Sequence, residues 1–251
     1  MIAALIVIAM ALLLGIPLVT LLDRSLRGPL RLGVAFIVGL AAYTLLLLTG
    51  MEWTRLSLFM AWPLAVACAW AFARPRFAWP GRPHSLLLIA AIELAGYTLF
   101  ATIGPLWEFD FLADWGLKGR VYALAQGVDW TFLQAAWYRA THADYPPLIP
   151  LAFDLVAIVN GGWEDRWIGL LYPAFALAGV AIAYGAAREE VGERWAALIA
   201  VIVLPLCATP WLGLADGPFA VTVLAAIVGE RASRPPAGGR LARRRSRRRS
   251  R

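Results

Sequence analysis

Residues 2 to 22, IAALIVIAMALLLGIPLVTLL, run for twenty-one positions without a charged side chain. A hydrocarbon core of about 30 Å needs about 20 apolar residues to cross as a helix. Lipid offers backbone amides no partner, so such a run must satisfy its own hydrogen bonds. Residues 32–50, 57–73, 85–104, 166–187, 195–211 and 218–229 are further apolar runs. The expected fold class is therefore all-α and integral to the membrane, with about seven transmembrane helices. Composition agrees: 61% of residues are hydrophobic and 16% charged, with a mean hydropathy of +0.69, where soluble domains hold about a quarter charged residues.

Charge orients the spans. No positive segment precedes residue 2 and no small-residue cleavage site follows residue 22, so a retained span is expected rather than a removed signal peptide. Arg24, Arg27 and Arg31 follow the first run, and Arg74, Arg76 and Arg82, among Pro75, Pro80 and Pro83, follow the third. The positive-inside rule assigns both basic loops to the cytoplasm. The N-terminus and the stretch after Gly104-Pro105 then fall outside. The net charge of +7 is uneven: residues 230 to 251 hold ten arginines and one glutamate, leaving thirteen basic and fifteen acidic side chains elsewhere.

Three units are expected: a three-span module over 1–84, a core over 85–229 with an outer loop at 105–165, and an arginine-rich cytoplasmic tail over 230–251. Residues 148–160, LIPLAFDLVAIVN, are too short to span and contain Asp154, which fits a re-entrant or interfacial helix ended by Asn160-Gly161-Gly162. That count brings Asp216 to the outer side and the tail to the inner one. Seven of the twelve tryptophans (Trp107, Trp115, Trp130, Trp137, Trp163, Trp167 and Trp211) fall on the expected outer side, as in an interfacial belt. Cys68 and Cys207 lie inside apolar runs and read as small buried hydrophobes.

The outer stretch, PLWEFDFLADWGLKGRVYALAQGVDWTFLQAAWYRATHADYPPLIP, is the one long run suited to water, and amphipathic helices are expected in it. Asp110 and Asp114 are four residues apart, so a helix over 108–125 puts both on one face. Such a pair raises one pKa and suits a general base; acids after a proline also favour a helix N-terminus without further role. His142 and Asp144, with Tyr145 before Pro146-Pro147, could orient a phosphate or hydroxyl or simply form a polar turn. Glu93, with Tyr97 one turn later, and Asp154 are ionisable groups within apolar runs, where exposure to lipid is costly and a bundle-facing position is expected. Asp216, in Leu214-Ala215-Asp216-Gly217-Pro218, breaks one helix and can cap the next.

The run Trp107 to Arg120, in which Asp110 precedes Trp115-Gly116-Leu117-Lys118, resembles the first outer loop of bacterial GT-C glycosyltransferase-like membrane proteins. His142-x-Asp144-Tyr145-Pro146-Pro147 and Ala215-Asp216-x-Pro218 extend the resemblance over about residues 85 to 229. Protein O-mannosyltransferases and lipid A aminoarabinose transferases belong to the same group. The resemblance implies transfer of a sugar from a polyprenyl-phosphate donor at the outer face of a bacterial inner membrane. It also implies an acidic residue, here Asp110, over the donor site and Asp216 as a second catalytic acid. The candidate substrate-binding residues are Lys118 and Arg120, which could hold the phosphate, with His142, Asp144 and Tyr145, and Asp114, which lies outside the family pattern. No metal or other cofactor is implied, because arginine can neutralise a monophosphate leaving group; a divalent ion remains compatible.

Such enzymes usually continue for several more spans, and the expectation here is that the tail is out-of-frame or truncated sequence. Membrane lipids are the other expected partners. Nucleic acid is not, since no aromatic or folded platform accompanies the tail, and oligomeric state has no signature in these residues. Alternatives from other classes are a truncated, inactive relative and a non-catalytic transport subunit with Glu93 and Asp154 along a polar path.

Overall fold

The computed structural model describes residues 2–49, 52–76, 83–104, 106, 108–136, 147–207 and 214–233, and every regular element among them is a helix. In chain order these are α1 (Ile2–Leu22), α2 (Gly28–Leu47), α3 (Arg55–Ala73), α4 (Leu87–Ile103), α5 (Gly116–Ala125), α6 (Trp130–Gln134), α7 (Leu148–Asn160), α8 (Asp165–Gly169), α9 (Leu171–Val191), α10 (Glu193–Cys207) and α11 (Asp216–Ser233). A five-residue π-helical turn, Phe111–Trp115, leads into α5. Among the described residues, four segments are long and apolar enough to cross a membrane: α1, α2, α3 and the stretch Asp165–Val191. The protein is an all-helical membrane protein.

Leu56, Met60, Leu64 and Phe72 of α3 and Leu88, Ile92 and Leu99 of α4 are exposed. A surface so apolar is one that lipid covers. Cys68 corrects an expectation: it is exposed among these residues of α3, whereas Cys207 is buried. An apolar run long enough to span is hydrophobic all round, so periodicity could not tell the lipid-facing side from the core side.

The centre of the bundle is α1 on α2, α2 on α9, and α9 on α10 and α11. Small residues set the approach of the first pair. A Cβ on Gly15 would collide with the Ala35 carbonyl, and one on Gly39 with the Ala11 carbonyl, so the two backbones touch directly. In lipid, where burial of apolar area brings no gain, dispersion across such close contacts is a main source of helix association.

The bundle has two chemically distinct ends. At one, the Trp53 amide donates to the Gln126 carbonyl at 2.9 Å, which ties the start of α3 to the end of α5. At the other, Arg31 Nη1 donates to the Arg76 carbonyl at 2.8 Å, joining the start of α2 to the chain beyond α3. Arg188 and Glu193, paired at 3.1 Å between α9 and α10, lie toward that arginine end, since Gly185 abuts Leu30.

Helix α7 begins and finishes at the loop end. Leu148 lines a cavity shared with Asp216, and a Cβ on Gly161, just past its last residue, would sit 3.6 Å from Arg55 Nη1. Thirteen residues rise only about 20 Å, and α7 packs chiefly on α1, α2 and α5. Gly161 closes it with φ +80°, the left-handed turn expected of Asn160-Gly161-Gly162. The last helix is longer than its apolar run. Twelve apolar residues were expected, whereas α11 spans 18, from Asp216 through Glu230 to Ser233. Alanine, glutamate and arginine are strong helix formers, so the helix outlasts the hydrophobic signal.

Candidate functional site

Phe111 docks the segment 108–125 onto the bundle. Its ring lies 5.7 Å from Phe153 of α7 and 6.5 Å from Trp163, and Phe153 in turn lies 6.2 Å from Tyr172 of α9. Behind it the helix widens by one residue, with the Gly116 amide donating to the Phe111 carbonyl in the i→i+5 pattern. Such π turns re-aim side chains and recur at functional sites.

That turn decides where the acids go. Asp110 is exposed at its start, whereas Asp114 is buried inside it. The expected single face holding both carboxylates is therefore absent. Asp114 Oδ1 instead meets Lys118 Nζ at 2.6 Å, and Lys118 is almost wholly buried, its ammonium 5.2 Å from the Trp115 ring centroid. The i,i+4 spacing of Asp114 and Lys118 was visible in the sequence; its burial was not. Arg120 projects from the exposed side of α5.

Beneath this pair lies a polar group that periodicity gave no reason to join. Tyr122 is buried, and burial pushes its phenol up to about 12, with the charges of Asp114, Asp154 and Asp129 adding to the shift. Asp154 of α7 is 0% exposed, and neither carboxylate oxygen has a hydrogen-bond partner. Burial pushes its carboxyl up to about 7, so it keeps its proton under mildly acidic conditions. This burial places Asp154 in the interior, the bundle-facing position expected of an ionisable group in an apolar run. Asp129 is accounted for locally, since its Oδ1 accepts from the Phe132 amide at 2.9 Å and caps α6.

Asp216 is the first residue of α11 and is exposed at the mouth of a cavity of about 540 Å³ lined by Trp115, Leu148, Ile149, Pro218, Phe219 and Thr222 among others. The π turn before α5, the start of α7 and the start of α11 thus meet at one place. Trp115, with the Lys118 ammonium 5.2 Å from its ring centroid, lines this cavity together with Asp216, and Asp110 lies five residues before it at the start of the π turn. Cavities of 300–1,000 Å³ suit small ligands, and this one pairs an apolar floor with a carboxylate at its rim.

His142, Asp144 and Tyr145 lie outside the described residues, as do Trp107, Trp137, Trp211 and the tail from 234 onward. Glu93 is half-buried on α4 with Oε2 enclosed and without a hydrogen-bond partner. It sits apart from Asp154, for α4 packs on α8, α9 and α10, whereas α7 packs chiefly on α1, α2 and α5. Among the described residues no three His, Cys, Asp or Glu side chains gather as a metal-binding group.

The site is thus a mixed apolar and acidic corner at one end of a helical membrane protein. Comparison with protein-family models, with curated proteins and with solved structures gives no match to this chain.

Proposed function

We propose that the chain is a GT-C-type membrane glycosyltransferase that moves a sugar from a polyprenyl-phosphate carrier to an acceptor at the loop end. The observation that supports this reading best is the cavity joining Asp216 to Trp115 beside the segment that starts at Asp110. A lipid-borne sugar needs an apolar floor for its carrier and acids at the rim for the transfer, and this corner offers both.

Asp110 takes the proton of the acceptor hydroxyl as its oxygen attacks the anomeric carbon. The bond from that carbon to the phosphate oxygen breaks, and the phosphate leaves with the electron pair, inverting the centre. Arg120, exposed on the same segment, meets the phosphate. Asp216 orients the acceptor or the sugar. Lys118 acts from behind by fixing Trp115. In the same reading α1, α2, α3, α4, α9, α10 and α11 are seven spans, the loop end faces outward, and the arginine end faces the cytoplasm of a bacterial inner membrane.

The test is sugar transfer from labelled polyprenyl-phosphate hexoses in membranes containing the full chain. Asp110→Asn should lower the rate by about 10²- to 10⁴-fold, the usual contribution of a general base, with the protein still folded. Unchanged transfer by that variant removes Asp110 from the mechanism, and absence of transfer by the unaltered chain with every donor tried overturns the assignment.

A further inference from the structure

The arginine end holds a second cavity, of about 530 Å³, lined by Thr20, Arg24, Arg27, Arg31, Phe72, Ala73, Arg74 and Arg76. Its five guanidinium groups come from three places: the exit of α1, the first turn of α2 and the chain just past α3. None takes part in the ion pairs found among the described residues. Asp23 is the acid that acts on Arg31, and its Oδ1 already accepts from the Ser25 amide at 2.7 Å.

Arg31 anchors the site. It is 7% exposed, Nε donates to the Leu26 carbonyl at 2.7 Å and Nη1 to the Arg76 carbonyl at 2.8 Å. Two of its five N–H groups are thereby satisfied, and the guanidinium is fixed before any ligand arrives. Arg74 caps α3 with φ 45° and ψ 57°, a left-handed conformation that glycine would adopt without strain. That turn sends Arg76 back toward α2, closing the cavity.

Neutralising helix ends does not account for so much charge. Each helix C-terminus has about half a negative charge, and two helices, α1 and α3, finish here. With Asp23 this offsets about two of the five arginines, leaving a surplus of about three positive charges around one concave space. A phosphate group accepts several charge-assisted and bidentate bonds from arginine and matches that surplus. The rim indicates where the phosphate comes from. Phe72, at the cavity, is 80% exposed and Leu22 of α1 is 77% exposed, so an apolar chain has a surface to lie on beside the charged space.

We propose that this cavity binds the phosphate headgroup of an anionic phospholipid in the leaflet at the arginine end, with Arg31 as the fixed contact and Arg24, Arg27, Arg74 and Arg76 closing around it. The site is separate from the transfer site and does not depend on that reading.

The experiment is native mass spectrometry of the full chain in detergent, with phosphatidylglycerol or phosphatidylcholine added at high salt to screen diffuse attraction by the tail. One phosphatidylglycerol should be retained in preference to phosphatidylcholine. R27Q/R74Q should weaken that retention by about tenfold or more, the loss expected from removing charge-assisted bonds. R27K/R74K, which keeps the charge but not the planar fork, should weaken it as well. Equal retention of the two lipids, or undiminished retention by R27Q/R74Q, overturns the site. Full retention by R27K/R74K overturns the built geometry in favour of diffuse attraction. Displacement by inorganic phosphate at matching concentration overturns the lipid as ligand in favour of a soluble phosphate.

Discussion

Lys118 is the residue whose replacement is most revealing, because its sequence context and its structural setting point in different directions. Its ammonium is 2.6 Å from Asp114, and the two side chains are 2% and 10% exposed. At an effective dielectric of about 20, charges this close attract by roughly 6 kcal/mol in gross terms. Desolvation of several kcal/mol per ion offsets most of that, and the cation above Trp115 adds about 0.5–2 kcal/mol. The pair is thus nearly neutral against an apolar replacement, yet stranding one member is costly. Lys118→Met should destabilise the protein by about 3–5 kcal/mol, and the double variant Lys118→Met with Asp114→Leu should recover most of that loss. Unfolding in detergent, followed by circular dichroism and tryptophan emission across the four chains of the cycle, gives the coupling directly. If Lys118→Met is as stable as the unaltered protein, or if the cycle shows coupling below about 1 kcal/mol, the buried pair is not what holds Trp115 against the cavity.

Two further perturbations follow from packing and burial. Gly39→Leu should drive α1 from α2, since even a Cβ there would strike the Ala11 carbonyl; about 3 kcal/mol or more of lost stability is expected from such overpacking, and a melting temperature equal to the unaltered chain's contradicts the backbone contact. Asp154 should make stability fall as pH rises. Its carboxyl is raised from 3.8 to about 7, so between those values the folded chain keeps a proton that the unfolded chain has released, and each increment of pH favours the unfolded state. Over that window the loss should approach about 4 kcal/mol, an upper bound set by about 1.4 kcal/mol per pH unit. Asp154→Asn should flatten the profile and be the more stable protein above pH 7; parallel profiles for the two chains sink this account of Asp154.

The helices were legible because lipid leaves a long apolar run no other choice, and the shortness of α7 was legible because its apolar run of thirteen residues stops at Asn160-Gly161-Gly162. Counting spans assigned Asp216 to the side of Asp110, and in the structure Asp216 lines one cavity with Trp115, five residues after Asp110. What the sequence could not show depends on three-dimensional registration. The π turn moved Asp114 inward and away from Asp110, and no periodicity signals a single inserted residue. Asp114 and Asp154 both act on Tyr122 because α5 packs on α7, with Phe111 set against Phe153 across 42 residues of chain. The arginines at 24–31 and 74–76 were readable as a sign of sidedness, whereas their convergence on one cavity required the packing of α1, α2 and α3.

The relation between the two ends of the bundle underlies both the transfer site and the lipid site, and it can be measured in intact cells. Single cysteines at positions 110, 216 and 76, in a chain with Cys68 and Cys207 replaced by alanine, are exposed to a membrane-impermeant thiol reagent before and after lysis. Positions 110 and 216 should react together from one side and position 76 only from the other. Labelling of 110 and 216 from opposite sides would contradict the shared end, and with it the site built between Asp110 and Asp216.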